Sequence, residues 1–455
     1  MKNPLFWIIA LTLGLRIVTL NQSFWLDEAI GAIAARDYSY SEIVTRFIYF
    51  DNHPPLYYLL LKFWASIFGY SEIALRSLSV FFGALMVFIL YKINKTASLL
   101  LATSQIHIYY SQEARMYVMA GFFAILAVYF FLKALKNKKN TGWLIFSLAL
   151  VGMMGTDYMP VFLLPVFPFY VFLRKRKAFS KLVASFVPLV IFGVLWLPVI
   201  STQIGNYREV SSSFLFGGAT FKQAVLFWIK FAFGRISFEP KIIYYALVGL
   251  ASLPIITSLF ISFRKRNLLI WLWLSVPVIL GFLASFLFPA FSYFRFVYIL
   301  PAFYILIARA NKKFLVYLVI LFNFLGLVIY YADPHQQREQ WRQAVKFIES
   351  EPEPESIALF EFSAPFAPYL WYSQDKLEAR GATDAISAGP KTKNLTRKLI
   401  EDKSRIYYFD YLRDVSDPER FVEKVITEEG FKEISKTTEF VGIGAITTYE
   451  KVKQI

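Results

Sequence analysis

From its start to about residue 331 the chain alternates long apolar runs with short polar loops. Runs of roughly 15 to 22 apolar residues are the length a helix needs to cross a lipid bilayer. They predict spans at residues 4–20, 72–92, 96–111, 116–133, 141–157, 159–173, 181–200, 242–262, 268–288, 293–309 and 313–331, eleven in all. Two further apolar stretches, 54–69 and 221–238, are read as interfacial or re-entrant helices, the second carrying Lys222, Lys230 and Arg235. Residues 27–36 and 41–50 have the spacing of short amphipathic helices on the outer surface.

Beyond Tyr331 the pattern turns to that of a soluble domain. Helices are predicted over 340–350, 391–403 and 418–428, strands over 356–362 and 405–411, and a closing hairpin over 431–451. The fold class is therefore a multispanning α-helical membrane protein with a small C-terminal extracytoplasmic α/β domain. The division falls at 1–334 and 335–455, with a first outer loop at 21–71.

Composition agrees: 57% of the 455 residues are hydrophobic and the mean hydropathy is +0.49. The net charge of +16 invites a nucleic-acid reading. Its distribution argues against one, because residues 1–334 hold 30 Lys/Arg against 11 Asp/Glu and residues 335–455 hold 18 against 21. The cations gather in short loops (Lys92/Lys95, 133–139, 174–181, 264–266, 309–313), where the positive-inside rule explains them. These loops are expected to be cytoplasmic, with Lys2 inside, the C-terminal domain outside and the protein in the plasma membrane. The start of the chain reads as an uncleaved span, since Arg16 interrupts it and no small-x-small site precedes Asp27. With no cysteine there are no disulfides or thiolate nucleophiles. The C-terminal domain has neither a glycine-rich phosphate loop nor Asp-x-Asp.

Five of the 11 carboxylates in the first 334 residues lie between Asp27 and Asp51, opening with the pair Asp27-Glu28. The plain alternative for that pair is helix capping. The chemical reading is a general base with a supporting acid, in different roles because adjacent helical residues point about 100° apart. His53, in His53-Pro54-Pro55-Leu56-Tyr57-Tyr58, offers a donor to a phosphate, and Arg16 either snorkels or meets an anion. Arg115, flanked by Glu113 and Tyr117, is a fixed cation suited to phosphate oxygens, and Arg295 is expected to face a polar cavity.

Taken in order, Trp25-x-Asp27-Glu28-Ala29, His53 to Tyr58, Ser71-Glu72-x-x-x-Arg76, Tyr109 to Tyr117 and Arg295 to Pro301 resemble the family 39 glycosyltransferases. These are relatives of protein O-mannosyltransferases and lipid A aminoarabinose transferases. Gln340-Trp341-Arg342 through Leu359-Phe360 is similar to the soluble tail of bacterial members. The resemblance implies a GT-C fold and a sugar donor carried on polyprenyl phosphate. It implies Asp27 as catalytic base with Glu28 and Glu113 shaping the sugar and acceptor pocket, while Arg115 and Arg295 hold the phosphate. Tyr57, Tyr58, Tyr117 and Asp157 join that pocket; Thr156-Asp157-Tyr158 departs from the family's Thr-His-Tyr.

The function expected is inverting transfer of a sugar from a polyprenyl-phosphate donor to a lipid, glycan or protein acceptor on the extracytoplasmic face. No cofactor and no obligatory metal are expected, because cations alone suffice for a leaving phosphate. The rivals are a transporter or lipid flippase, which predicts repeats and midplane charges not seen here, and a silent scaffold displaying the tail domain.

Overall fold

The computed structural model describes residues 3–136, 140–211, 219–265, 267–350, 353–383, 385 and 387–452. The expectations for Lys2, Lys138, Lys139 and Arg266 lie outside the described residues. The chain divides into two compact units. The first contains Met1–Leu20, Ala34–Ile204 and Phe216–Gln336; the second joins Asn21–Ile33, Gly205–Leu215 and Gln337–Ile455.

The first unit is helical: α1 (Pro4–Ile17), most of α2 (Leu26–Asp37) excepted, then α3 (Leu56–Phe68), α4 (Glu72–Ile93), α5 (Lys95–Thr103), α6 (Gln105–Ser111), α7 (Tyr117–Lys136) and α8 (Thr141–Thr156). There follow α9 (Val166–Arg174), α10 (Phe179–Ser211), α11 (Phe221–Phe233), α12 (Lys241–Phe263), α13 (Leu268–Ala284), α14 (Leu300–Arg309) and α15 (Lys313–Ala332). Among the described residues, five helices are long and apolar enough to cross a membrane and five shorter apolar ones run 10–17 residues.

Burial in this unit is arranged for lipid. In α1 the buried residues are Thr12 and Arg16, whereas Phe6, Trp7, Leu13 and Ile17 are exposed. Along α10, Val187, Val190, Ile191, Val194, Leu195 and Leu197 all face outward. Water would penalise such a surface and a bilayer does not.

Three stretches expected as continuous spans are interrupted. Residues 96–111 form α5 and α6 with a break at Ser104, whose Oγ caps α6 at the His107 N–H and accepts from Tyr304 Oη (2.8 Å). Residues 293–309 begin as a 3₁₀ segment, Tyr293–Ile299, bent at Phe296 before α14. Residues 159–173 likewise begin as 3₁₀, Met159–Leu163. Freed backbone groups at membrane depth survive only inside protein, and α6 and α14 are accordingly buried over nearly their whole lengths. Apolar run length carries no sign of these breaks.

The second unit is built on a five-stranded sheet ordered β2-β1-β3-β5-β4: β1 (Ser356–Phe360), β2 (Glu378–Gly381), β3 (Arg405–Phe409), β4 (Phe431–Thr437) and β5 (Ile446–Lys451). β1 pairs parallel with β2 and β3; β5 runs antiparallel to β3 and β4. Side chains alternate between two cores, as a period of two dictates. Ala358, Phe360 and Phe409 join Trp341, Val345 and Ile348 of α16 (Trp341–Glu349), with Leu26 packed against them. Ile357, Leu359, Ile406 and Tyr408 join Ile400 of α17 (Pro390–Ile400) and Val422, Val425 and Ile426 of α18 (Phe421–Glu428). The short strand β2 is half exposed and too polar to have been read from the pattern.

Candidate active site

Pro55 sets the start of α3, and its first turn turns Tyr57 and Tyr58 inward, both fully buried. Tyr58 Oη donates to Asp51 Oδ2 (2.9 Å) and accepts from Arg115 Nη1 (3.2 Å). Asp51 Oδ1 accepts from the backbone N–H and the Nδ1–H of His53 (2.8 and 2.7 Å). Burial alone would push the Asp51 carboxyl up. The neighbouring His53, Arg115 and Tyr58 outweigh it and hold Asp51 below its ordinary value. His53 is thereby fixed on its Nδ1 side, leaving Nε2 to face other partners. The His53 carbonyl and that of Ile48 accept from Gln203 Nε2 (3.3 and 2.6 Å), and Gln203 Oε1 accepts from Tyr158 Oη (2.8 Å). Tyr57 Oη lies 3.4 Å from Ser79 Oγ, which donates to the Arg115 carbonyl (3.2 Å).

Arg115 sits over Tyr117 at 5.9 Å. Tyr117 belongs to a chain of ring contacts: Tyr109 to Tyr110 (5.2 Å), Tyr110 to Tyr117 (5.5 Å) and Tyr117 to Phe294 (5.2 Å). Two more arginines border the same cluster. Arg235 stacks over Tyr109 at 4.1 Å, and Arg295 lies 5.8 Å from the Phe294 ring. Three cations on one aromatic patch, with Glu113 buried beside Arg235 in electrostatic reach, form a surface suited to an anion next to a ring-faced sugar.

Arg235 is marked in the sequence only as one of three cations in the apolar stretch 221–238. It follows Gly234, which has φ +100° and whose added Cβ would stand 2.2 Å from Gln105 Oε1. The Arg235 N–H donates to that same oxygen (2.5 Å). A Gly-Arg step closing a cationic amphipathic helix was the available signal. Arg295 donates through Nη1 to the Pro289 carbonyl (2.7 Å), which orients its planar head.

The remaining residues fall elsewhere. Arg16 is fully buried within the helices, donating to Ser111 Oγ (3.1 Å) and to the Thr12 and Ala102 carbonyls (2.9 and 3.1 Å), with Nη2 2.5 Å from His107 Nδ1. These bonds fit a packing brace better than a phosphate contact. Asp157 Oδ1 accepts from the Met159 N–H (3.0 Å) and so caps the 3₁₀ turn. In the second unit, Asp27 and Glu28 occupy the first turn of α2; Glu28 is fully buried and Asp27 partly exposed, so the two acids face different surroundings. Among the described residues no group of three or more His, Asp or Glu is arranged to hold a metal.

Residues 52–205 match the family model described as dolichyl-phosphate-mannose-protein mannosyltransferase. No curated protein sequence matches the chain. ArnT from Cupriavidus metallidurans in the apo state superposes with a TM-score of 0.62 at 11% identity, covering 97% of each chain. ArnT bound to undecaprenyl phosphate gives 0.58 at 12% identity, covering 99% of this chain and 98% of that one. The chain therefore shares the fold of ArnT over nearly its whole length, its own C-terminal five-stranded sheet included. The matched stretch takes in His53, Tyr57, Tyr58, Glu113, Arg115, Tyr117 and Asp157; Asp27, Arg235 and Arg295 lie outside it.

Proposed function

We propose that the protein is an inverting glycosyltransferase that moves a sugar from a polyprenyl-phosphate donor to an acceptor on the extracytoplasmic face of the plasma membrane. The observation that carries this reading is the set of three arginines, Arg115, Arg235 and Arg295, bordering one aromatic cluster. It is supported by the family model over residues 52–205 and by the fold shared with a protein solved with undecaprenyl phosphate.

Asp27, assigned by its place in the Trp25-x-Asp27-Glu28 motif, takes the proton of the acceptor hydroxyl or amine. The freed lone pair forms the new bond to the anomeric carbon. The bond from that carbon to the phosphate oxygen breaks on the opposite face, and its electron pair leaves with the polyprenyl phosphate. The arginines neutralise the charge that grows on the leaving phosphate. Tyr117 and Phe294 offer ring faces to the sugar, and Glu113 accepts from its hydroxyls. Arg115 is oriented by Tyr58 and, through it, by Asp51.

The test supplies purified protein in detergent with undecaprenyl-phosphate-linked mannose or aminoarabinose and, separately, with nucleotide sugars. Transfer from a lipid-linked donor and none from a nucleotide donor is expected. The reverse outcome overturns the reading, because detergent removes the access barrier and leaves only chemistry.

A further inference from the structure

The chain entering α2 is built into the C-terminal sheet domain, in one compact unit with it. Ser23 Oγ donates to the Glu339 carbonyl (2.6 Å), the Phe24 N–H donates to Tyr372 Oη (2.7 Å), and Phe24 packs edge-on against Trp371 (5.5 Å). Gln22 Nε2 donates to Gln337 Oε1 and its Oε1 accepts from the Arg338 N–H (both 2.9 Å). Leu26 joins the core beside Trp341. The residues just ahead of Asp27 are thus held on the domain by hydrogen bonds and packing.

Glu339 takes part at both ends. Besides the carbonyl that holds Ser23, its carboxyl accepts from Trp341 Nε1 (2.8 Å) and from Tyr411 Oη (3.0 and 3.1 Å). Asp27 acts electrostatically on Glu339 and on Tyr411. We propose that Glu339 is a positioning residue for Asp27: its backbone fixes the turn into α2 through Ser23, and its clamped carboxyl brings a titratable charge to bear on Asp27. The C-terminal domain thereby sets the aim of the base and makes turnover respond to the charge on Glu339. This rests on the assignment of Asp27 as base.

The groups facing Glu339 are Asp27 from α2, Arg338 from its own segment, Trp341 from α16 and Tyr411 beyond β3. Residues 440–445, whose Gly442 backs onto its Cγ, bring no titratable side chain. Burial, with Asp27 adding to it, outweighs the pull of Trp341, Tyr411 and Arg338, so that Glu339 is pushed up to about 7. Its charge therefore changes across the neutral range. A negative neighbour makes a carboxylate take up a proton more readily, so turnover should rise as Glu339 ionises.

The experiment measures kcat and donor KM against pH for the full-length protein, with whichever undecaprenyl-phosphate sugar the wild type turns over. Wild-type kcat should rise about 3- to 10-fold between pH 6 and 8, whereas Glu339→Gln, which keeps the shape and both acceptor bonds, should stay within about twofold with donor KM unchanged. Ser23→Ala, which frees the turn but leaves the charges, should lower kcat at every pH while keeping the rise. A Glu339→Gln variant that keeps the wild-type rise, a flat wild-type profile, or a Ser23→Ala variant with wild-type kcat overturns the proposal. Asp27→Asn separates the layers: if it is active the base assignment fails, and if it is inactive while Glu339→Gln behaves as wild type, only the present inference fails.

Discussion

The guanidinium of Arg235 lies 4.1 Å from the centre of the Tyr109 ring, and this stack places a third arginine on the aromatic cluster that Arg115 and Arg295 already border. Burial works against its charge, but the nearby Tyr109, Tyr110, Tyr293 and Glu113 more than compensate, so Arg235 stays a cation at any working pH.

Arg235→Ala and Arg295→Ala should each weaken undecaprenyl phosphate binding by about 1.5 to 3 kcal/mol, roughly 10- to 150-fold, the size of a lost charge-assisted contact. Lysine should rescue each only in part, since it lacks the planar fork. Titration of the purified variants with undecaprenyl phosphate decides it. Wild-type affinity in either alanine variant would make that residue structural.

Asp27→Asn keeps the shape and removes the proton acceptor, so kcat should fall about 10²- to 10⁴-fold with the fold intact. Glu28 is fully buried where Asp27 is partly exposed, and Glu28→Gln should cost less. Steady-state kinetics on both variants checks the order; the opposite ranking would exchange the two roles.

Glu361, next after β1, is fully buried with neither carboxyl oxygen bonded. Burial, then Asp417, Asp410 and Glu423, push it up to about 10 against the pull of Arg413. A carboxyl raised in the folded state leaves stability whole below its unfolded pKa. Stability then falls as pH rises from about 4.5 towards 10. Glu361→Met should raise stability at neutral pH by an amount on the order of 1 to 3 kcal/mol and flatten that decline. Thermal melts of wild type and variant from pH 5 to 9 measure both, and parallel curves would show that Glu361 is satisfied.

The absence of native cysteine makes the orientation directly measurable. Lys177→Cys, in a loop expected to be cytoplasmic, should be shielded from an impermeant maleimide in intact cells. Glu239→Cys, exposed before α12, should react. Equal labelling of both in sealed cells contradicts the assigned orientation.

By itself the sequence determined the elements whose residues carry their own periodicity. Run length marked α4, α7, α10, α12 and α15; the change of period after Tyr331 marked α16, β1, β3 and the β4–β5 hairpin. The motifs picked out His53, Tyr57, Tyr58, Arg115 and Arg295 because each is polar chemistry set in an apolar background. Only the tertiary structure decided what each partner does. Asp51, read as one acid among five, joins His53 to Tyr58 and so to Arg115, while Arg235 reaches Tyr109 across a sequence gap of 126 residues. It decided too that Arg16 bonds to Ser111, that Ser104 and Phe296 interrupt apolar runs, and that the turn before Asp27 belongs with the C-terminal domain. The physical reason is common to all of these. Hydropathy records what a segment avoids, whereas hydrogen bonds and charge contacts depend on which segments the fold brings within about 3 to 6 Å of one another.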